Sequence, residues 1–275
     1  MSADVELLGR EIRKVGRTSP WRDRLARIGL AAKGVSFGLV AVLSIGVALG
    51  KGGKTTDRQG ALATLAGHLW GEVVLVLLAI GFAGYAIWRL ADAAFDSRDD
   101  GSDAKGLAKR AGYLARAAIY AALCATTVSL LVGSGGGGHS EKQTTSGVLG
   151  WPGGRWLVLA VAAAIAGAAA WNAYRGLTTK FEERLETGRM SEGMRKLAKT
   201  LGAVGHVARG IVFGIVAWFL AKAAIQYDAK EAVGLDGALA RLVREPYGRA
   251  LLGVVAAGLL AYGAYCLVEA RYRKI

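Results

Sequence analysis

The stretch Arg27-Ile28-Gly29-Leu30-Ala31-Ala32-Lys33-Gly34-Val35-Ser36-Phe37-Gly38 recurs, in recognisable form, at the head of three successive apolar hairpins. A second copy starts at Arg110 and runs through Gly112, Arg116 and Ala117 to Ala121. A third runs from Ala203 through Gly205, Arg209 and Gly210 to Gly214. Repeats of this kind fix an architecture before any single element is assigned. In each copy a basic residue precedes a small one, and another small residue follows four positions later. The pairs are Gly34/Gly38, Ala117/Ala121 and Gly210/Gly214, and their spacing puts both members on one helix face, where a second helix can approach closely.

The returning halves of the hairpins repeat as well. Trp70-Gly71, Gly81, Gly84-Tyr85, Trp88 and Asp92 of the first unit correspond to Tyr247-Gly248, Gly258, Ala261-Tyr262, Tyr265 and Glu269 of the third. The middle unit keeps Gly154, Gly167 and Trp171 but carries Arg175 where the others have an acid. Gly81, Gly84, Gly167 and Gly258 are expected to serve helix packing.

Six apolar stretches, at 29–50, 72–94, 111–133, 155–175, 202–225 and 249–269, each approach the roughly 20 residues that span hydrocarbon. Inside a bilayer the backbone must satisfy itself, so these are helices, as their Ala, Leu and Gly content also indicates. The fold class expected is therefore all-α integral membrane: six transmembrane helices in three tandem two-helix repeats with a pseudo-threefold relation. The parts are a basic N-terminal segment at 1–28, repeat one at 29–94, a linker at 95–110, repeat two at 111–175, a basic amphipathic linker at 176–201 and repeat three at 202–275.

The net charge of +14 is distributed unevenly. The N-terminal tail, the loops 94–110 and 176–202 and the tail after 269 hold twenty Lys and Arg, against seven in the alternate loops. The positive-inside rule then places both termini in the cytoplasm, and charge bordering apolar spans suits anionic lipid headgroups rather than nucleic acid. The first span is too long for a signal-peptide core and is expected to be an uncleaved transmembrane helix.

Outside the spans, Val5, Leu7, Leu8, Ile12 and Val15 recur at helical spacing among basic residues, as in a surface helix or a basic tail. Thr56 or Asp57 is expected to cap a short external helix with Ala61, Leu62, Leu65 and Leu69 on one face, matched by Asp236–Val243 in the third unit. The middle unit instead has Gly135-Gly136-Gly137-Gly138, read as a flexible external loop. Phe181, Leu185, Met194 and Leu197 among basic residues fit a second surface helix or an ordinary solvated linker. Trp70, Trp151 and Tyr247 on one side, with Trp88, Trp171 and Tyr265 on the other, are expected to form two aromatic belts. Cys124 and Cys266 read as small buried apolar residues.

The candidate site is a level in the membrane. Lys33, Arg116 and Arg209 sit about one turn, some 6 Å, inside the cytoplasmic ends of the first, third and fifth spans. The antiparallel helices bring Arg89, Asp92, Asn172, Arg175 and Glu269 to the same level. Lys33 is expected to pair with Asp92 and Arg209 with Glu269, leaving an excess of positive charge among Lys33, Arg89, Arg116, Arg175 and Arg209. Two readings stand open: cations whose stems snorkel to the headgroups, or a site for an anion or acidic lipid headgroup. Glycine- and alanine-rich faces fit tight packing with lipid or a membrane-protein partner better than a wet channel, and the chain's only prolines, Pro20, Pro152 and Pro246, leave every span unbroken. No nucleophile-and-base pattern is present, and His68, His139 and His206 fall in different units. No catalytic residue, cofactor or metal is expected.

With the repeat laid out, the chain resembles the actinobacterial membrane family catalogued as Domain of Unknown Function 1206, over residues 27 to about 271. The resemblance is carried by Gly29-Leu30-Ala31-Ala32-Lys33-Gly34-Val35, Gln59-Gly60-Ala61-Leu62 and Gly81-Phe82-Ala83-Gly84-Tyr85-Ala86-Ile87-Trp88-Arg89, with their counterparts in the third unit. It implies the six-helix architecture and a plasma-membrane location, and supplies no activity. From the residues themselves the expected role is a compact scaffold or accessory subunit, the alternative a channel or transporter for a small anionic solute.

Overall fold

The computed structural model describes residues 20–51, 58–66, 69–94, 103–133, 141–228, 231–232, 235–244 and 246–274. The long helices are α1 (Pro20–Ala48), α3 (Leu69–Ala94), α4 (Ala104–Leu131), α6 (Gly154–Thr178), α7 (Glu192–Gln226) and α9 (Gly248–Tyr272). The short ones are α2 (Arg58–Ala63), α5 (Glu141–Leu149) and α8 (Leu235–Arg244). Each long helix is apolar and long enough to cross a membrane, so the protein is an all-α, six-span chain of three hairpins. Exposed Leu77, Leu177, Trp218 and Val254 form part of the apolar surface such a protein turns to lipid.

The spans line an arc in the order α4, α3, α1, α9, α7, α6. α1 packs against α3 and α9, α3 against α4, α9 against α7, and α7 against α6. The seams between units are more extensive than those within a hairpin, and α4 and α6, the two arms of the middle unit, share no comparable seam among the described residues. Side-chain size accounts for this. In the outer units a glycine on the first helix seats a tyrosine of the second. A Cβ at Gly29 would lie 2.6 Å from Tyr85 Cβ, and one at Gly205 would lie 2.5 Å from Tyr262 Cα. The middle unit has Ala168 where the tyrosine belongs, and a Cβ at Gly112 would meet nothing within 4 Å.

The small residues therefore divide. Gly34 packs on Gly263, where a Cβ would come within 2.7 Å of the carbonyl oxygen; a Cβ at Gly263 would in turn approach Gly38 N at 3.1 Å. Gly210 packs on Ala169 and Ala173, Gly81 on Ala32, Gly84 on Leu25 and Gly258 on Ala208, while Ala117 is buried. The expected packing role fails for three positions. Ala121 and Gly167 are exposed because α4 and α6 lie at the ends of the arc. Gly214 lines an outward groove of about 440 Å³ with Ile211, Ile215, Trp218, Phe219 and Leu242.

Four further expectations need correction. The middle unit does have a short helix, α5, where a loop was expected; Gly71, Gly154 and Gly248 explain the shared plan, since a Cβ at each would collide with backbone at or just past the end of the short helix before it. The first helix begins at Pro20 rather than 29, so part of the basic segment is helical. The linker after α6 is not a surface helix: it forms two 3-10 turns, Lys180–Arg184 and Thr187–Arg189, and then α7 starts at Glu192. Phe181 and Leu185 bury themselves against α7 and α9 because Gly202 leaves room for the Phe181 ring. The linker is tied to the chain end by Glu186 N donating to Tyr272 O at 2.7 Å and Lys274 N donating to Arg184 O at 2.9 Å. Finally, Trp70, Trp151, Tyr247 and Trp171 are exposed as belts require, but Trp88 and Tyr265 are core residues. The segment Val5–Val15, the cap positions Thr56 and Asp57, His68, His139 and the glycine run lie outside the described residues.

α8 is held by charge. Glu231 accepts from Arg241 at 2.9 Å and lies 3.2 Å from Lys222 Nζ, while the Arg241 guanidinium covers the Phe219 ring at 3.9 Å. The hydrogen bonds from Arg241 and Lys222 hold the Glu231 carboxyl below its ordinary value of 4.5. A depressed carboxyl stabilises the fold above its unfolded value, and that contribution is lost as pH falls through the lower folded one. Hydrogen-exchange protection of 235–244 is therefore expected to fall below pH 4.5 in the wild type. In Glu231→Gln it should be lower at neutral pH and independent of pH; equal protection in the two proteins would dismiss the tether.

Candidate functional site

The repeat brings its basic residues to one depth. Lys33 lies about 22 Å from the outer end of its span at Ala48 and about 15 Å from Asp23, well beyond a single turn, because α1 begins so early. Arg116 and Arg209 are at nearly the same remove from Leu131 and Gln226. An aromatic residue follows each of the three by one helical turn: Phe37, Tyr120 and Phe213. The returning helices add Tyr85 and Tyr262 at this level.

The side chains form a basic and aromatic cluster. Lys33 Nζ stands 5.0 Å from the centroid of the Tyr262 ring, and Arg209 NH1 donates to the Tyr262 hydroxyl at 2.6 Å. The Arg209 guanidinium also lies over Phe213 at 4.6 Å and Phe37 at 5.5 Å, and its Nε is buried without an acceptor. Across the arc, Tyr120 tilts against Tyr85 at 4.1 Å and meets Phe82 edge-on at 5.8 Å. Arg89 is buried over Trp88 at 4.0 Å and donates to Tyr85 Oη at 3.2 Å; it and Arg116 share the Tyr113 ring, at 5.5 and 6.0 Å. Arg116 is exposed yet within electrostatic reach of both Arg89 and Arg209. Arg175 is half-buried, within electrostatic reach of His206, Tyr265 and Glu269.

The acids are in place, but their partners differ from the expected ones. Asp92 accepts from Arg89 at 3.0 Å, one turn away on the same helix, and Glu269 pairs with Arg273, also one turn away. Among the described residues no carboxylate forms a salt bridge with Lys33, Arg116, Arg175 or Arg209. Local helix spacing wins because an i,i+3 or i,i+4 pair needs no interhelical register. Arg273 itself is buried, over Trp88 at 4.9 Å.

This arrangement decides against snorkelling for Lys33, which is only 9% exposed and turned onto Tyr262. A ring contact contributes about 2 kcal/mol or more to a desolvated cation. Desolvation itself costs several kcal/mol per ion. Lys33 and Arg209 thus rest on rings, the Tyr262 hydroxyl and the more distant Glu269 rather than on a salt-bridged carboxylate, and an anion between them would add a direct counter-charge.

His206, the one described histidine, is part of the packing. Its Nδ1 lies 2.8 Å from Gly202 O, and the ring stacks on Phe181 at 5.1 Å with Tyr262 and Tyr265 edge-on. Cys266 is buried, and Cys124 donates to Ala79 O at 3.4 Å. The sequence reading missed Tyr85, Tyr120 and Tyr262 as site residues, as well as Arg273 and Gly263. The aromatic residue four positions after each repeated cation was the available signal.

Three hairpins arranged in an arc, with their repeated cations at one depth, define a polytopic helical membrane protein of internal repeats. The chain belongs to the family described as Domain of Unknown Function (DUF1206), which matches it three times, at residues 28–96, 111–179 and 204–273. It is also similar to "Uncharacterized protein YxxB" of Bacillus subtilis (strain 168), 34% identical over 258 residues and 94% of each chain. No solved structure matches it.

Proposed function

We propose that this is a non-enzymatic, multi-pass protein of the plasma membrane, with both chain ends in the cytoplasm, that binds an anionic group at the basic and aromatic layer. The reading is carried by Lys33, buried without a carboxylate partner in the same aromatic surroundings as Arg209. Orientation is supported by the excess of Lys and Arg on the side of the chain ends, where Arg27 NH1 donates to Arg271 O at 2.7 Å. The scaffold reading loses part of its basis, since Gly34, Gly81, Gly84, Gly210 and Gly258 are taken up inside the chain. What still favours a membrane-protein partner is the exposed small-residue face of α6, with Ala160, Ala163, Ala164, Gly167 and Ala170.

The test is calorimetric titration of inorganic phosphate into the purified protein in an uncharged detergent. Saturable binding is expected, weakened about tenfold or more in Lys33→Met and in Arg209→Met and unchanged in the exposed control Arg189→Met. Absence of binding, or equal binding in all four proteins, would refute the reading. Anion flux through liposomes that disappears in Arg116→Gln and Arg209→Gln would extend it to transport.

A further inference from the structure

We propose that the unsealed seam between α4 and α6 admits an anionic phospholipid sideways from the leaflet on the side of the chain ends, so that its acidic headgroup reaches Lys33 and Arg209 past Arg116. The inference rests on the anion-binding reading and adds both the chemical class of the ligand and its route. Three observations converge on it. The seam is open because Ala168 replaces the tyrosine that zips the outer hairpins, leaving Gly112 facing free space. Its α4 wall carries Arg116, a cation exposed at membrane depth yet within electrostatic reach of Arg209. Behind it lies Lys33, nine-tenths buried and outside every carboxylate salt bridge among the described residues.

Depth and charge select the occupant. With Ala48 at the outer boundary, Lys33 lies about 8 Å inside the opposite boundary of a hydrocarbon layer about 30 Å thick. A headgroup drawn inward by little more than one helical turn would reach it while its acyl chains remain beside the exposed small residues of α6. An uncharged helix of a partner would fill the same seam but bring the cations no counter-charge, and a soluble anion would have no use for a lateral opening.

The test titrates the full chain in uncharged detergent with short-chain phosphatidylglycerol, short-chain phosphatidylcholine and inorganic phosphate. Phosphatidylglycerol is expected to bind about tenfold more tightly than either of the others. Ala168→Tyr, which restores the tyrosine of the outer units, should weaken the lipid about tenfold while changing phosphate affinity by less than about twofold. Gly112→Phe, placed where a side chain meets nothing, should do the same from the opposite wall. Phosphatidylglycerol affinity unchanged in both variants overturns the route. Equal affinity for phosphatidylcholine or for phosphate overturns the ligand class, as does a dimer that Ala168→Tyr dissociates. Failure of the wild type to bind either phosphate or phosphatidylglycerol overturns the anion-binding reading itself.

Discussion

Replacing Arg273 with Met is expected to lower the stability of the protein by about 3 kcal/mol, the penalty for stranding one member of a buried ion pair. Arg273 donates to Glu269 within a core where both are nearly inaccessible, and the guanidinium also covers Trp88. Removing the cation leaves a buried carboxylate. The figure sits at the low end of the usual range because Lys33, Arg184 and Arg175 lie within electrostatic reach of Glu269. The double variant Arg273→Met/Glu269→Met should recover to within about 1 kcal/mol of the wild type, since well-packed apolar residues often replace a buried pair at little loss. Equilibrium unfolding in mixed micelles, with exposed Arg271→Met as control, measures the cycle. A single variant as stable as the control, or a double variant no better than the single, would show that the pair does not hold the chain end in place.

The same pair shows how far the sequence could be read. The repeat placed Lys33, Arg116 and Arg209 at a common depth, and the structure keeps them there, because each lies at nearly the same remove from the outer end of its helix although the helices differ in length. Partner choice was not legible at that resolution. Asp92 and Glu269 each bond to a cation one turn away on their own helix or just past its end, and spacing alone ranks that no higher than a partner across the hairpin. The open middle unit was written in Ala168, a small residue where the outer units have tyrosine, but its effect depends on a missing interhelical contact. Phe181 and Leu185 misled for a related reason. Their spacing among Lys180 and Arg184 fits a surface helix, and only the ring-sized space at Gly202 shows that they plug the bundle instead.

Gly34→Val is expected to be strongly disruptive, because α1 and α9 meet there backbone to backbone. A Cβ at Gly34 would lie 2.7 Å from Gly263 O, 3.1 Å from Leu267 and 3.2 Å from Cys266, and one at Gly263 would lie 2.8 Å from Gly34 O. Leu267 can rotate away, but a carbonyl oxygen in a helix cannot, so the two helices must separate. Overpacking of this kind costs about 3 kcal/mol. The loss should spread along the seam to Phe37, whose ring meets Tyr262 edge-on at 5.0 Å, and so to the surroundings of Lys33. Gly38→Ala and Gly214→Ala provide the contrast. A Cβ at either meets nothing within 4 Å, so the better helix propensity of Ala makes both neutral or stabilising by up to about 1 kcal/mol. Small-residue spacing alone assigns the three glycines equal standing. If all three substitutions destabilise alike in mixed-micelle unfolding, the close approach of α1 and α9 is wrong; if Gly34→Val alone does, the seam between the first and third units is the one on which the basic layer depends.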